Sequence, residues 1–345
     1  MPDVPFDELD LAIVDALRSS ARATWRELAA VLGVDPATVA RRWARMQAAG
    51  VAWVTAHPAG SITPTCALVE IRCAPGRSGE VAGLLAGDVE APTVRLMSGA
   101  RHILALAQAP DLGTLSRYVL DRVEHLPGIT EVQSHPVTSS TVEAGRWRDG
   151  ALDSEQRRRL AGSARKRPAH AGVLEGPDHR IAHALTVDGR MSFERLAEYA
   201  GIGPVAVGRR LTRLVDAGLV TFRCDTSPHL TGHSVAAVFF GSLDVRDLDA
   251  AEERIRSLPG VRASRFVAGP YNVVIDVWLR STAEVREVER RMCQALPTLQ
   301  VQDRAVVQRT VKLLGRILDE DGRSIRSVPL LPEFSPLPAV ERRKH

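Results

Sequence analysis

The sequence predicts an α+β fold in which one two-part unit occurs twice along the chain. Residues 10–50 align with residues 178–218 without a gap, and 15 of the 41 aligned positions are identical. Each aligned stretch has apolar residues at helical spacing, and each precedes a stretch whose pattern fits the order βαββαβ. The separation of the two stretches exceeds the period of solenoid repeats, so it indicates duplication of a whole two-domain unit.

Six parts are expected from these patterns. They are, in order, a helical domain at 1–60, an α/β domain at 61–140, a basic linker at 141–175, a second helical domain at 176–230, a second α/β domain at 231–316 and a flexible tail at 317–345. The linker has no acidic residue between 156 and 174 and ends in a Gly/Pro-rich stretch. The tail is rich in proline, which is typical of a loose terminus.

Composition argues against several classes of protein. Apolar residues make up 45% of the 345 residues and charged residues 25%, as in ordinary globular proteins. No apolar run reaches the roughly 18 residues that cross a bilayer, and the N-terminus lacks the apolar core of a signal peptide. The four cysteines form no C-x-x-C pair. We therefore expect a cytoplasmic protein with reduced thiols, no membrane contact, no metal and no cofactor.

The first 50 residues have the pattern of three short helices. Apolar residues recur at helical spacing in residues 7–18. Thr24 precedes the second helix with Glu27 three residues later, as in a capping box, and Gly33 fits the left-handed residue that ends that helix. Asp35 is followed by proline, a typical start for a third helix. Two helices joined by a short glycine turn are typical of a helix-turn-helix.

The third helix has one apolar face and one cationic face. In the first copy the inward face holds Val39, Trp43 and Met46, and the outward face holds Thr38, Arg41, Arg42 and Arg45. In the second copy the inward face holds Val207, Leu211 and Leu214, and the outward face holds Arg209, Arg210 and Arg213. A solvated basic face explains one such helix, but recurrence of the arginine triplet favours a recognition helix that enters a DNA groove. We therefore predict double-stranded DNA as a partner.

The two recognition helices differ in detail. The first has Asp35 and Thr38 where the second has Gly203 and Ala206, so the second has lost a cap and a hydroxyl group. We expect the second helix to contribute more to phosphate contacts than to base contacts, and the bound site need not be palindromic. A strand at 51–57 follows the first recognition helix as the start of a wing.

The stretch after each helical part predicts a ferredoxin-like sheet. Apolar and polar residues alternate from Thr65 to Cys73, as in a half-buried strand. The segments that follow give the split-βαβ order in both copies. Two helices cover one face of such a sheet, so the other face needs a partner: the second copy or a second chain.

Both copies resemble the Lrp/AsnC (feast/famine) family of transcriptional regulators. The residues that carry the resemblance are LAAVLGVDPATVARRWARMQAAGV at 28–51 and LAEYAGIGPVAVGRRLTRLVDAGLV at 196–220. The resemblance covers about 6–140 and 176–316. It implies a winged helix-turn-helix plus an effector-binding (RAM) domain in each copy, and assembly into homo-oligomers, dimers or larger, through the α/β domains.

The resemblance also implies a small amino-acid-like effector near the glycine turn between strands two and three. By position the residues are Gly99, Arg101 and His102 in the first copy and Gly269, Tyr271 and Asn272 in the second. The family often has Asp at the last of these positions, where this chain has His102 and Asn272. Binding of an amino acid's ammonium group is therefore an open question here.

We expect a DNA-binding regulator and not an enzyme, and two other functions are alternatives. Siroheme decarboxylases resemble the same fused architecture, and the Pro-Tyr-Asn stretch at 270–272 is similar to theirs, but their neighbouring His-rich motif is missing at 264–266. An assembly protein that has lost DNA binding is the third possibility. His179 and His183 have a spacing that suits a metal, but exposed histidines explain it more simply.

Overall fold

The fold is taken from a computed structural model that describes residues 6–142, 151–161, 174 and 176–332. The elements of the first copy are α1 (Glu8–Ser19), α2 (Trp25–Leu32), α3 (Pro36–Ala48), β1 (Ala52–Pro58), β2 (Thr65–Cys73), α4 (Ser78–Gly87), β3 (Thr93–Met97), β4 (Ile103–Ala109), α5 (Leu112–Arg117), which continues as a π-helix (Tyr118–Val123), and β5 (Ile129–Val142). Helix α6 (Ser154–Ala161) lies between the copies.

The second copy repeats this order of elements. They are α7 (Gly176–Val187), α8 (Phe193–Ala200), α9 (Pro204–Asp216), β6 (Val220–Thr226), α10 (Pro228–Thr231), β7 (Val235–Ser242), α11 (Leu248–Ser257), β8 (Val261–Val267), β9 (Val273–Leu279), α12 (Glu284–Ala295) and β10 (Gln300–Leu313). Two short strands follow, β11 (Arg316–Leu318) and β12 (Ser324–Ser327). The predicted fold class is confirmed.

Local signals position the helix-turn-helix in each copy. The Thr24 hydroxyl accepts from the Glu27 backbone N–H, and the Glu27 carboxylate accepts from the Thr24 N–H, so the predicted capping box is present. Gly33 and Gly201 both end their helices at φ +69°, a left-handed conformation that glycine adopts without strain. The turn between the second and third helices therefore has the same geometry in both copies.

The predicted wing strands pair with each other. β1 and β6 form a two-stranded antiparallel ribbon in which Thr55 lies opposite Arg223. These two residues occupy equivalent positions in the two copies, because the ungapped alignment of the helical parts extends to them. A local two-fold axis therefore passes through the centre of the ribbon and relates the two helix-turn-helix units.

The α/β parts of both copies join in one closed sheet. Within each copy the strand orders are β3–β4–β2–β5 and β8–β9–β7–β10. β5 pairs with β8, and the long strand β10 pairs with both β7 and β3, so eight strands close into a ring. The sheet face that the sequence leaves uncovered is thus covered by the other copy within the same chain.

Side chains on the two sides of this ring form separate cores. Helices α4 and α5 pack on the outer face of the first copy's strands, and α11 and α12 pack on the second copy's strands. The interior between the copies is filled by buried apolar side chains from both: Leu68, Met97, Leu104, Val238, Phe240, Val267, Tyr271, Val274 and Ala305. Burial of this shared core holds the two copies together.

The segment between the copies contains a docked helix. Leu152 and Leu160 pack into the core of the first helix-turn-helix, and the Gln156 amide donates to the Val31 carbonyl at 3.2 Å. The stretch expected as a basic linker, 141–175, therefore contains a helix at Ser154–Ala161. Residues 143–150, 162–173 and 175 of that stretch lie outside the described residues.

The expectation of a flexible tail from 317 onward is wrong for its first half. Residues 314–332, here called the C-terminal strap, form the β11–β12 hairpin and run back across the molecule. The Ser324 N–H donates to the Gly50 carbonyl at 2.8 Å, and the Val328 N–H donates to the Gly315 carbonyl at 2.7 Å. Proline content and terminal position did not indicate these contacts, the first of which joins the strap to the first helix-turn-helix while the second lies within the strap.

Candidate nucleic-acid interface and ligand cleft

Both predicted recognition helices are held by an apolar face. Val39, Trp43 and Met46 of α3 are buried, as are the three equivalent side chains of α9. The Asp35 carboxylate accepts from the Ala37 N–H at 2.8 Å and caps α3, whereas the N-cap of α9, Gly203, makes no side-chain cap. In both helices the face that lies opposite these apolar residues therefore points outward. Only the second helix begins without a side-chain cap.

Two of the three predicted arginines of α3 are ion-paired within the domain. Arg45 lies 2.7 Å from the Asp10 carboxylate, and Arg42 lies 2.7 Å from Asp7 and 3.3 Å from Asp10. The hydrogen bond from Arg42 holds the pKa of the Asp7 carboxyl below its usual range. Because the Asp10 side chain is fully buried, these pairs fasten α3 to α1.

The second copy repeats this clamp with one carboxylate. Arg210 lies 2.9 Å from Asp178, and Arg213 forms a short ion pair with the same carboxylate. Arg213 keeps 62% of its side chain exposed, against 35% for Arg45 in the first copy. These arginines therefore recur in both copies because each pair binds a carboxylate of its own domain. In the sequence, the identity of Asp10 and Asp178 in the repeat indicates this pairing.

Arg41 and Arg209 differ from the clamped arginines. Both are exposed, and neither forms an ion pair with any residue that the structure describes. Thr38 is half-buried beside Arg41. The exposed stripe along α3 consists of Ala37, Arg41, Ala44 and Ala48, and the equivalent stripe along α9 consists of Val205, Arg209, Thr212 and Asp216. Each helix therefore presents one guanidinium group that no described carboxylate pairs with. The exposed residues around this group differ between the two helices.

An exchange of arginines fixes the spacing of the two helix-turn-helix units. Arg22 donates to the carbonyls of Gly189 at 2.7 Å and Met191 at 3.1 Å. Its repeat equivalent, Arg190, donates to the carbonyls of the equivalent residues 21 and 23, at 2.6 and 2.9 Å. Burial lowers the pKa of Arg190 to about 10. The exchange obeys the same two-fold axis as the ribbon, so both recognition helices are held in one arrangement.

The two glycine turns, residues 98–102 and 268–272, end in residues that bond to the sheet. His102 accepts from the Cys73 N–H at 2.9 Å through Nδ1. Asn272 accepts from the Leu243 N–H and donates to the Leu243 carbonyl, both at 2.8 Å. Cys73 and Leu243 are equivalent positions in the register that aligns the two glycine turns. These two predicted effector residues thus have a structural role in closing each turn.

Arg101 and Tyr271 converge on one carboxylate between the copies. Arg101 donates to Glu70 at 2.7 Å and to Asp303 at 2.8 Å, and the Tyr271 hydroxyl donates to Glu70 in a short hydrogen bond. His135 lies 3.6 Å from the same carboxylate. Burial and the bond to Glu70 raise the pKa of Tyr271, while burial lowers the pKa of His135. At neutral pH the cluster is therefore a compact ion pair with a neutral phenol and imidazole.

Both glycine turns border a small polar cleft. The cleft has a volume of about 220 Å³ and is lined by Ala100 and Arg101 from one turn and Pro270 and Tyr271 from the other. Gly99 has φ +87°, and at Gly269 an added Cβ would lie 2.5 Å from the His135 ring. Glycine is therefore required at both positions. The sequence did not indicate that Glu70 and Asp303 line this cleft, or that His135 lies against Glu70, because these residues are on other strands.

Among the residues that the structure describes, no group of three His, Cys, Asp or Glu side chains is placed to hold a metal ion. His183 of the predicted metal-spaced pair instead lies 2.8 Å from the Tyr199 hydroxyl. Among the same residues, no helix has both the length and the apolar character needed to cross a membrane.

Comparisons with known proteins match both helix-turn-helix units. The family model of the AsnC-type helix-turn-helix domain matches residues 6–47 and 177–215. Regulatory protein AsnC of Escherichia coli (strain K12) is 26% identical over 148 residues, which cover 41% of this chain and 97% of that protein. The HTH-type transcriptional regulator AldR of Mycobacterium tuberculosis (strain ATCC 25618 / H37Rv) is 32% identical over 150 residues, covering 41% of this chain and 79% of that protein.

A solved structure matches the whole arrangement of two copies. The siroheme decarboxylase NirDL superposes with a TM-score of 0.59 over 88% of this chain and 93% of that chain, at 10% sequence identity. At this identity the likeness is one of fold. The two helix-turn-helix matches and the two regulators, rather than the fold that is shared with an enzyme, relate this chain to the class of helix-turn-helix transcriptional regulators. The chain belongs to the Lrp/AsnC family, and it contains two copies of the family's helix-turn-helix.

Proposed function

We propose that this chain is a sequence-specific transcriptional regulator that binds duplex DNA with α3 and α9 together. The observation that supports the proposal most is that Arg41 and Arg209 are exposed and form no ion pair within the described part of the chain, on two helices related by a two-fold axis. Arginine pairs bidentately with guanine edges and with phosphate oxygens. In this proposal Arg41 and Arg209 make the central groove contacts.

The clamped arginines have a second role in the proposal. Arg42, Arg45, Arg210 and Arg213 position each recognition helix through Asp10 and Asp178, and their exposed parts contribute to phosphate contacts. Thr38 adds a hydroxyl group beside Arg41 in the first copy only. The two half-sites therefore differ in sequence.

Binding to operator DNA tests the proposal directly. A duplex is first selected from a random pool by the purified chain, and its affinity is then measured by fluorescence anisotropy over a range of salt concentrations. Arg41→Ala and Arg209→Ala should each weaken binding by about 1–3 kcal/mol. The matched control is Arg286→Ala, which removes an exposed arginine of α12. Unchanged affinity in both helix variants, or no DNA binding by the parent chain at low salt, contradicts the proposal.

We also propose that the cleft between the glycine turns binds a small, amino-acid-like effector. The cleft between the glycine turns offers a guanidinium group, Arg101, and two carboxylates, Glu70 and Asp303, which match the charges of an amino acid. Its volume of about 220 Å³ suits a small molecule. Calorimetric titration with amino acids tests this. Glu70→Gln should abolish the binding heat that the exposed-site control Glu80→Gln retains.

Association of several chains through the α/β domains is also proposed, since relatives of the family assemble in this way. Within one chain the inner sheet faces are already used to close the ring, so further assembly would use the outer surface. Light scattering after size-exclusion chromatography measures the number of chains in the particle. A mass of one chain at all concentrations contradicts this part.

A decarboxylase of the siroheme type is the second candidate function. The titratable cluster that Glu70 and Tyr271 of the cleft form with the buried His135 favours a chemical role. However, the cleft volume of about 220 Å³ is below the roughly 300–1,000 Å³ of sites that hold drug-sized ligands. A tetrapyrrole is larger than such ligands, so the cleft is small for it. A spectral shift on addition of siroheme, without retardation of any DNA, would favour the enzyme over the regulator.

A further inference from the structure

A second cavity lies where four separate parts of the chain meet. It has a volume of about 430 Å³ and is bordered by the connection 62–64 after the ribbon, the edge of the first α/β part, α7 and the end of the C-terminal strap. It lies at the far end of β4 from the glycine turns, and its lining shares no residue with the polar cleft. It is therefore a separate site.

Hydrogen bonds from the strap close this cavity. The Gln108 amide donates to the Leu330 carbonyl at 2.8 Å, and the Leu330 N–H donates to the Thr186 hydroxyl at 3.1 Å. Gln108 belongs to β4 and Thr186 to α7, so Leu330 connects the first α/β part to the second helix-turn-helix. An occupant of the cavity contacts both parts at once.

The walls define the chemistry of an occupant. Most of the lining is apolar, including Val89, Pro110 and Leu331. Polar groups come from Gln108, Glu90, His179 and two threonines. Burial lowers the pKa of His179, so its imidazole is neutral at pH 7, and the Glu90 carboxylate repels an anion. Cavities of this size at domain junctions, apolar with few polar groups, are the usual form of small-molecule sites.

The equivalent position in the second copy has a different chemistry. The register that aligns the two glycine turns places Trp278, Arg280 and Glu284 where the first copy has Gln108, Pro110 and Thr114. The cleft there has a volume of about 600 Å³, and its lining includes three arginines and two glutamates beside apolar side chains. The end of the strap, at 330–332, lines the first copy's cavity, whereas no strap residue lines this charged cleft; residues 318–322 of the strap border a different cavity beside the second copy. The apolar cavity is thus a feature of one copy, made by the way the strap crosses it.

We propose that this cavity binds a small, uncharged, largely apolar molecule with one hydrogen-bonding group. The bound molecule fastens α7 to the first α/β part and thereby changes DNA binding by the second helix-turn-helix. The binding itself is independent of the proposed function, and the effect on DNA rests on it.

The first experiment measures binding without DNA. The probe is N-phenyl-1-naphthylamine, a neutral apolar fluorophore with a single N–H group, titrated into the full chain. We expect saturable binding of one molecule per chain. Val89→Trp and Leu331→Trp fill the cavity from opposite sides, and each should weaken binding at least tenfold. The control Val245→Trp adds the same volume at an exposed position and should leave binding unchanged.

The outcomes separate the parts of the proposal. Thermal unfolding shows which tryptophan variants are folded. Absence of saturable binding, or equal binding by the parent and the folded cavity variants, overturns the site. The second experiment repeats the titration with saturating operator DNA, and reciprocity requires that probe and DNA change each other's affinity by the same factor. A probe affinity unchanged by bound DNA overturns the coupling, whereas a chain that binds no DNA overturns the proposed function instead.

Discussion

The ammonium group of Lys312 in β10 donates to the backbone carbonyl of Asp88, at the end of α4, at a distance of 2.6 Å. The lysine comes from the second copy and the carbonyl from the first, and the Lys312 side chain is fully buried. Burial lowers the pKa of Lys312 to about 8. One buried charge therefore belongs to the contact between the copies.

This contact predicts a pH dependence of stability above neutrality. The unfolded chain holds the Lys312 proton up to a pKa of ~10.4, whereas the folded chain releases it near pH 8. Between these values the unfolded state binds more protons, so the free energy of unfolding rises with pH. Relative to Lys312→Met, the parent chain should gain about 2 kcal/mol from pH 7.5 to pH 10 in urea denaturation. A constant difference between the two proteins would show that Lys312 titrates normally.

Asp10 is predicted to restrain Arg45, which would otherwise bind phosphate. Asp10→Asn should lower the free energy of unfolding by about 2 kcal/mol, because Arg42 and Arg45 lose a buried charged partner. In DNA titrations the same variant should show a steeper salt dependence, by about 1 in the log–log slope, because Arg45 is released while Arg42 keeps its ion pair with Asp7. The control Asp249→Asn changes an exposed carboxyl and should affect neither measurement. An unaltered slope would mean that the released guanidinium group does not reach DNA.

The exchanged arginines are predicted to set the spacing between half-sites. Arg22→Ala and Arg190→Ala should each lower the free energy of unfolding by about 2 kcal/mol, since each removes two charged hydrogen bonds to carbonyls. Folded variants should lose affinity for DNA with two half-sites yet bind a single half-site normally, as anisotropy titration can show. Arg26→Ala removes an exposed arginine of α2 and is the control. Equal losses on both kinds of DNA would point to damaged recognition helices instead.

Val205 is predicted to contact a thymine methyl group. It is 89% exposed in the first turn of α9, one turn before Arg209, where the first copy has Ala37. Apolar side chains at this place in a recognition helix pack against thymine methyl groups in the major groove. Uracil in place of that thymine should cost the parent chain about 1 kcal/mol of binding, and should cost Val205→Ala nothing. If uracil weakens both proteins equally, the contact belongs to another residue.

Local features of the fold could be predicted from the sequence. The capping box of Thr24 and Glu27, the cap at Asp35 and the turn at Gly33 each depend on residues within four positions of one another. Such short-range preferences are present in the residue types themselves. The second copy repeats the glycine turn, at Gly201, but has Gly203 in place of the cap at Asp35, so the repeat supports the helix-turn-helix twice without repeating every cap.

Long-range contacts could not be predicted in the same way. The β1–β6 ribbon and the Arg22–Gly189 bond join residues that belong to different copies, and periodicity shows only that a strand or a face needs a partner. The sequence alone predicts DNA contacts for the whole arginine triplet, because it does not show which side chains surround these arginines. The carboxylate that explains two of the three, Asp10, was among the identical positions of the repeat and could have suggested the pair.

The closed ring of eight strands has a consequence for how this protein responds to dilution and to mutation. Two separate subunits dissociate as their concentration falls, but two halves on one chain face each other at a constant effective concentration. The DNA-binding pair therefore persists even when only a few molecules are present. Each half is also encoded separately, so a substitution alters one side alone. This is how Lys312 and an apolar cavity came to exist in one half without their counterparts in the other.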